Sequence, residues 1–80
     1  MYAMDAVKIA AGASDTPLYM IGRKLGVSDT LVNNTITRGS TPRADSLARM
    51  FGVCGYALCA VPADEIPPNA LVIGDEDGEE

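Results

Sequence analysis

Apolar residues in this chain follow a helical period through the first two-thirds and then abandon it. Met4, Val7, Ala10 and Ala11 recur at three- and four-residue intervals within the Ala-rich stretch Met4 to Ala13, which predicts a first helix weakened near its end by Gly12. Ser14-Asp15-Thr16-Pro17 then reads as a turn and a start signal, with Thr16 as N-cap and Pro17 at the first helical position. Leu18, Ile21 and Leu25 form one apolar stripe, with Arg23 and Lys24 off it, and Gly26 stops this second helix in a left-handed conformation. Ser28 follows as an N-cap, and Asp29 suits the positive end of a helix dipole. Val32 and Ile36 stack one turn apart on the third helix, which Arg38 complements and Gly39 ends. Beyond the loop Ser40-Thr41-Pro42, Arg43 to Phe51 is a further amphipathic helix with Leu47, Met50 and Phe51 inward and Gly52 at its end.

After Gly55 the pattern changes to short unbroken apolar runs. Tyr56–Val61 is β-compatible and stopped by Pro62; Ala63 to Asn69 is a loop; Ala70–Ile73 is a second run ending at Gly74. These predict two short strands. The expected fold is mainly α, a compact helical bundle of four or five helices containing a helix-turn-helix, followed by a short C-terminal β-hairpin or dimer-pairing strands. Residues 1–61 form the helix-turn-helix domain with the first strand, 62–74 a loop and second strand for dimerisation, and 75–80 an acidic disordered tail.

Eighty residues make one small domain. Three Tyr and one Phe leave the core to Ala, Val, Leu, Ile and Met, and so small a core points to oligomerisation as a source of stability. The apolar runs fall well short of the ~20 residues of a membrane span, and MYAMDAVKIAAGA is too short and too weakly basic for a secretory signal. No membrane association is expected, and the cytoplasm is the expected location. Histidine is absent, and Cys54 and Cys59 do not have zinc-ligand spacing. They read as reduced thiols packing as small apolar groups, and no metal or cofactor is expected. Without histidine the usual general base is missing, and no carboxylate pair stands out as an acid–base couple. An enzyme is not expected.

The formal charge of −5 conceals an uneven distribution. DEDGEE at positions 75–80 carries five of the eleven acids, whereas the chain up to Ala60 sets Asp5, Asp15, Asp29 and Asp45 against six Lys and Arg, a balance of +2. An acidic terminal run of this kind is usually solvated.

Two short helices joined by Gly26-Val27-Ser28 are the arrangement of a helix-turn-helix. Leu25, Val27, Val32 and Ile36 form its expected internal seam. Thr30, Asn34 and Thr37 then lie on the opposite side of the third helix with Asn33 at the flank, a neutral hydrogen-bonding face without Glu or Lys.

The run LGVSDTLVNNTITRGSTP, followed by LARM and GYALCAVP, resembles the Cro/CI-type (XRE) helix-turn-helix family of phage and bacterial regulators. The resemblance covers roughly Asp5 to Val61 and rests on Leu25-Gly26-Val27-Ser28, Val32, Arg38-Gly39 with Pro42, Leu47 and Gly55-Tyr56. Two positions depart from the family pattern. Thr35 stands where a second buried apolar residue is common, with Ile36 following, and Gly22 replaces the usual Ala, loosening the helix by ~1 kcal/mol.

The resemblance implies a sequence-specific transcriptional regulator, phage- or mobile-element-like, that binds double-stranded DNA as a homodimer and represses. Thr30, Asn33, Asn34 and Thr37 would read bases. Asn can pair with N6 and N7 of adenine, Thr offers a hydroxyl and a methyl, and Leu31 suits a thymine methyl. Thr16, Lys24, Ser28, Arg38 and Arg43 would hold the DNA backbone. Asp29 either caps or accepts from cytosine N4. An uncovered apolar edge places Tyr56, Leu58, Leu71 and Ile73 at the dimer interface. The competing reading is a helix-turn-helix protein-binding module, such as a phage inhibitor of a host defence enzyme, using the third helix or the acidic tail; a third is an antitoxin.

Overall fold

In the computed structural model, which describes residues 1–74, the order of elements is α1 (Ala3–Ala13), α2 (Leu18–Lys24), α3 (Leu31–Arg38) and α4 (Ala44–Val53), then a 3-10 turn at Ala63–Glu65. The acidic segment 75–80, expected to be a disordered tail, lies outside the described residues.

All four helices stop in the same way. The amides of Thr16, Val27, Ser40 and Tyr56 donate to the carbonyls five residues back, of Ala11, Gly22, Thr35 and Phe51, at 2.8, 3.0, 3.2 and 2.9 Å. The residue before each, Asp15, Gly26, Gly39 or Gly55, has φ of 57, 77, 69 or 80° and donates to the carbonyl three back. This is the Schellman closure, which satisfies carbonyls a helix end would leave orphaned. Gly55 therefore ends α4, and Gly52, the expected stop, lies inside the helix.

The helix starts also differ from expectation. Pro17, not Thr16, holds the N-cap position of α2, because the Thr16 amide is committed to closing α1 and its hydroxyl lies 2.8 Å from Ser14 Oγ. At α3, Ser28 Oγ accepts the Thr30 amide at 3.1 Å and the Ser28 carbonyl accepts that of Leu31. One turn thus precedes the helix proper.

α1 contributes Ala3, Met4, Ala6, Val7, Ala10 and Ala11 to the core, a broad stripe of mostly small side chains. α1 packs on α4, and α2 packs on both α3 and α4. Ile21 of α2 and Val32 of α3 are wholly buried beside Leu47, Met50 and Phe51 of α4 and Cys54 just beyond it. No polar or charged residue is buried among the described residues, so the core needs no buried ion pair or polar side-chain network. Leu25 and Ile36 pack on this core as expected, but Val27 is 50% exposed. The left-handed Gly26 and the Val27–Gly22 closure turn that side chain outward.

Backbone closes the seam in its place. A Cβ built on Gly22 would overlap the carbonyl oxygen of Ser28, with Ser28 C at 3.0 Å and Asp29 Cα at 3.4 Å. The glycine is what lets the turn before α3 lie directly on α2.

The C-terminal segment forms no strands among the described residues, contrary to the hairpin expectation. Residues 56–62 run without turn or bend, as do 70–73, but no ladder joins them. The 3-10 turn and the prolines between them hold the runs apart, and a groove of about 470 Å³ lies where a ladder would be. The second run bonds instead to the N-terminal residue: the Met1 nitrogen donates to Val72 O at 3.0 Å, and the Gly74 amide donates to Met1 O at 2.9 Å. Leu71 and Ile73 pack on the core as a strap.

Two substitutions test this architecture in thermal unfolding. Gly22→Ala should destabilise by about 1–2 kcal/mol, because overpacking against backbone exceeds the gain in helix propensity; an unchanged or raised midpoint would refute the close approach. Asp15→Gly should raise stability by up to ~1 kcal/mol by relieving a left-handed non-glycine residue; a loss would show that the Asp15 side chain is needed at that turn.

Candidate functional site

Burying Val32 on α3 turns Thr30, Asn33, Asn34, Thr37 and Arg38 to solvent. Leu31, Thr35 and Ile36 lie half-buried at the borders. Thr35, at the position that departs from the family pattern, satisfies its own hydroxyl by donating to Leu31 O at 2.8 Å. It therefore sits at the edge of the core without an unpaired polar atom, and Ile36 supplies the apolar contact.

On the exposed face three predicted residues are brought together by hydrogen bonds. Asn34 Nδ2 donates to Thr30 Oγ1 at 3.1 Å, and Thr30 Oγ1 lies 2.8 Å from Ser28 Oγ. Ser28 Oγ in turn accepts the Thr30 amide. This chain holds the Asn34 carboxamide by one N–H and leaves its oxygen and second N–H without a partner among the described residues. Asn33 makes no side-chain hydrogen bond among the described residues, so its amide is wholly available. Thr37 lies one helical turn beyond this pair.

The cations around the face differ in how they are held. Arg38, in the last turn of α3, and Lys24, in the last turn of α2, are exposed and bond no side chain among the described residues. Both positions complement a helix C-terminus. Arg43 stands at the N-cap position of α4 and pairs with Asp45 at 3.0 Å, its side chain 84% exposed. Such a surface pair contributes little and is readily exchanged for another anion. Thr16 is half-buried and turned to Ser14, outside the α3 network.

Asp29 is neither a cap nor an uncompensated charge. Arg23 donates to both its carboxylate oxygens, Nη2 to Oδ2 at 2.8 Å and Nε to Oδ1 at 3.5 Å, while the guanidinium lies 5.3 Å from the centroid of the Tyr19 ring. The hydrogen bond from Arg23 holds the Asp29 carboxyl below its ordinary pKa, opposed by slight desolvation and aided by the nearby positive charge. The clamp ties α2 to the turn before α3 and sets a cation against the Asp29 carboxylate. Its six-residue spacing crosses a turn, so helical periodicity did not reveal it.

The expected interface residues divide. Tyr56 and Leu58 are exposed, whereas Leu71 and Ile73 are half-buried against the chain's own core. Cys54 is buried, and desolvation pushes its thiol pKa up, partly offset by a hydrogen bond with Ser14. Cys59 is exposed. The described residues contain no cluster of three metal-ligating side chains, and none of their helices is long and apolar enough to cross a membrane. Comparison of the chain with known protein families, with curated proteins and with solved structures gave no match.

The clamp predicts a pH signature. Because the folded Asp29 pKa lies below its unfolded value of about 3.9, its contribution is present above that value and lost as pH falls through the folded one. A carboxyl-carbon NMR titration should show Asp29 titrating below its ordinary value and returning toward it in Arg23→Met. An unmoved midpoint in that variant would rule the clamp out.

Proposed function

We propose that the protein binds double-stranded DNA sequence-specifically as a homodimer and acts as a small transcriptional regulator of the repressor type. In this reading α2 and α3 work as a helix-turn-helix, with α3 in the major groove. The observation that carries it is the exposed face of α3: Thr30, Asn33, Asn34 and Thr37 supply neutral donors and acceptors, and Arg38 lies at their C-terminal end. Direct readout uses such groups, and a bidentate carboxamide matches adenine N6 and N7. The Ser28–Thr30–Asn34 chain supports the reading because it orients one carboxamide before any base arrives. The Arg23–Asp29 clamp supports it by neutralising the carboxylate nearest the face.

Arg38, Lys24 and Arg43 are the cations for phosphate contact, positioning the helix without specifying sequence. Thr16 and Ser28 fit that role less well, since their hydroxyls are held by Ser14 and Thr30. The net charge of −5 is no bar to the reading, because five of the acids lie in the segment 75–80. The binding face draws on the part of the chain where bases exceed acids. Two copies would read half-sites one helical turn of DNA apart, about 34 Å.

The test is a titration of the full chain on a selected duplex and a scrambled one at two salt concentrations. Asn34→Ala should lose ~1–3 kcal/mol at its preferred base pair and little on scrambled DNA. Arg38→Gln should weaken both duplexes alike and reduce the salt slope by about 0.9, one phosphate contact. Equal affinity of the parent for the two duplexes would defeat the proposal and favour a protein partner.

A further inference from the structure

Asn33 and Asn34 are adjacent on α3, identical in chemistry and both exposed, yet they are held differently. Thr30 bonds Asn34 twice. Its carbonyl accepts the Asn34 backbone amide at 2.8 Å, and its hydroxyl accepts the Asn34 side-chain amide at 3.1 Å. Thr30 stands at the N-cap position of α3, where a hydroxyl ordinarily accepts an amide of the first turn, but here it caps no backbone group. The oxygen a cap would use is turned to the Asn34 side chain instead. Ser28 Oγ lies 2.8 Å from Thr30 Oγ1 and also accepts the Thr30 backbone amide. The hydroxyl that holds Asn34 is therefore itself held. Asn33 makes no such bond among the described residues.

We infer that Thr30 and Ser28 are positioning residues that confine Asn34 to adenine, while the unrestrained Asn33 takes adenine or guanine. The inference rests on the DNA-binding reading of α3 and goes beyond it, since it removes Thr30 from the residues that touch a base. The chemistry is a count of donors. In the major groove adenine offers a donor at N6 beside an acceptor at N7, whereas guanine offers two acceptors, O6 and N7. A free carboxamide can meet adenine with its oxygen and one N–H, or guanine with its two N–H groups. Asn34 has already given one N–H to Thr30. What it has left, one acceptor and one donor, matches adenine. Against guanine its oxygen would face O6, acceptor to acceptor.

Ser28 keeps the carboxamide from turning over. In the reversed orientation the Asn34 oxygen would face Thr30, and the Thr30 hydroxyl would have to donate to it. A hydroxyl has one hydrogen. When Thr30 spends it on Ser28 Oγ, only lone pairs remain toward Asn34, and the N–H is the group that fits them. The Asn34–Thr30 bond is exposed, which sets the size of the effect at about two- to tenfold in base preference, the net worth of one such bond.

The experiment uses the full chain and begins with selection from a random duplex library. The base pair that Asn34→Ala no longer discriminates is the one Asn34 reads. On duplexes differing only there, the parent should favour adenine over guanine, and Thr30→Val should lower that ratio by about two- to tenfold. Thr30→Ser should keep the ratio, and Ser28→Ala should lower it in the same direction. The salt slope should not change in any of them. Equal weakening of both duplexes in Thr30→Val would mark a structural or phosphate role, and a changed preference at another base pair would mark direct contact; either result overturns the inference. Side-chain scalar couplings in the free protein give an independent readout. Asn34 should occupy one rotamer, Asn33 should be averaged, and Thr30→Val should make Asn34 resemble Asn33. Should Thr30→Val fail to fold, Ser28→Ala and the parent couplings still decide. Averaged Asn34 couplings in a parent that discriminates sequence overturn this inference alone. A parent indifferent to sequence, with Asn34 fixed and Asn33 averaged, supports the positioning by Thr30 and defeats the functional reading.

Discussion

A close backbone contact, Gly22 on α2 against Ser28 and Asp29, governs the rest of the candidate site. Where a side chain would normally separate two elements, the missing Cβ lets the turn lie on the helix. The same Gly22 carbonyl accepts the Val27 amide that closes α2, so one residue both ends its helix and seats the next. From that seat Ser28 organises the entry to α3, accepting the Thr30 amide through its hydroxyl and the Leu31 amide through its carbonyl. The rotation of α3 follows, with Val32 down and Asn33, Asn34 and Thr37 up.

The helices were legible from apolar spacing because their periodic side chains are the same ones that fill the core. Ile21, Val32, Leu47, Met50 and Phe51 were each placed inward by their spacing and are buried. The ends were less legible, since a glycine marks only that a helix can stop nearby. Gly52 and Gly55 differ in a hydrogen bond from Tyr56 to Phe51 that no composition rule reveals. Asp15 takes a left-handed conformation without being glycine at all. Gly22 read as a loosened helix from propensity alone, because the Ser28 carbonyl that requires it lies six residues away across a turn.

Strands failed for a different reason. A helix satisfies its backbone within its own segment, so local pattern suffices to predict it. A strand exists only with a partner, and β-compatible residues at Tyr56–Val61 and Ala70–Ile73 carry no information on what each run pairs with. The exposed face of α3 was legible because a helical wheel with two buried positions determines the rest. Its internal order was not: the Ser28–Thr30–Asn34 chain and the Arg23–Asp29–Tyr19 clamp depend on the turn geometry that Gly22 permits.

The two C-terminal runs, alike in composition, end in opposite circumstances, and hydrogen bonding decides between them. Leu71 and Ile73 reach the core, and their backbone neighbours Val72 and Gly74 find partners on Met1. That run has met its demands within one chain and has little left to offer another. Ala57–Val61 is equally apolar but lies on the outside with its five backbone units unmatched among the described residues. Side-chain composition does not separate the two runs; the backbone does. Val72 and Gly74 are bonded to Met1, whereas the N–H and C=O groups of Ala57–Val61, exposed and without a partner among the described residues, are left to water.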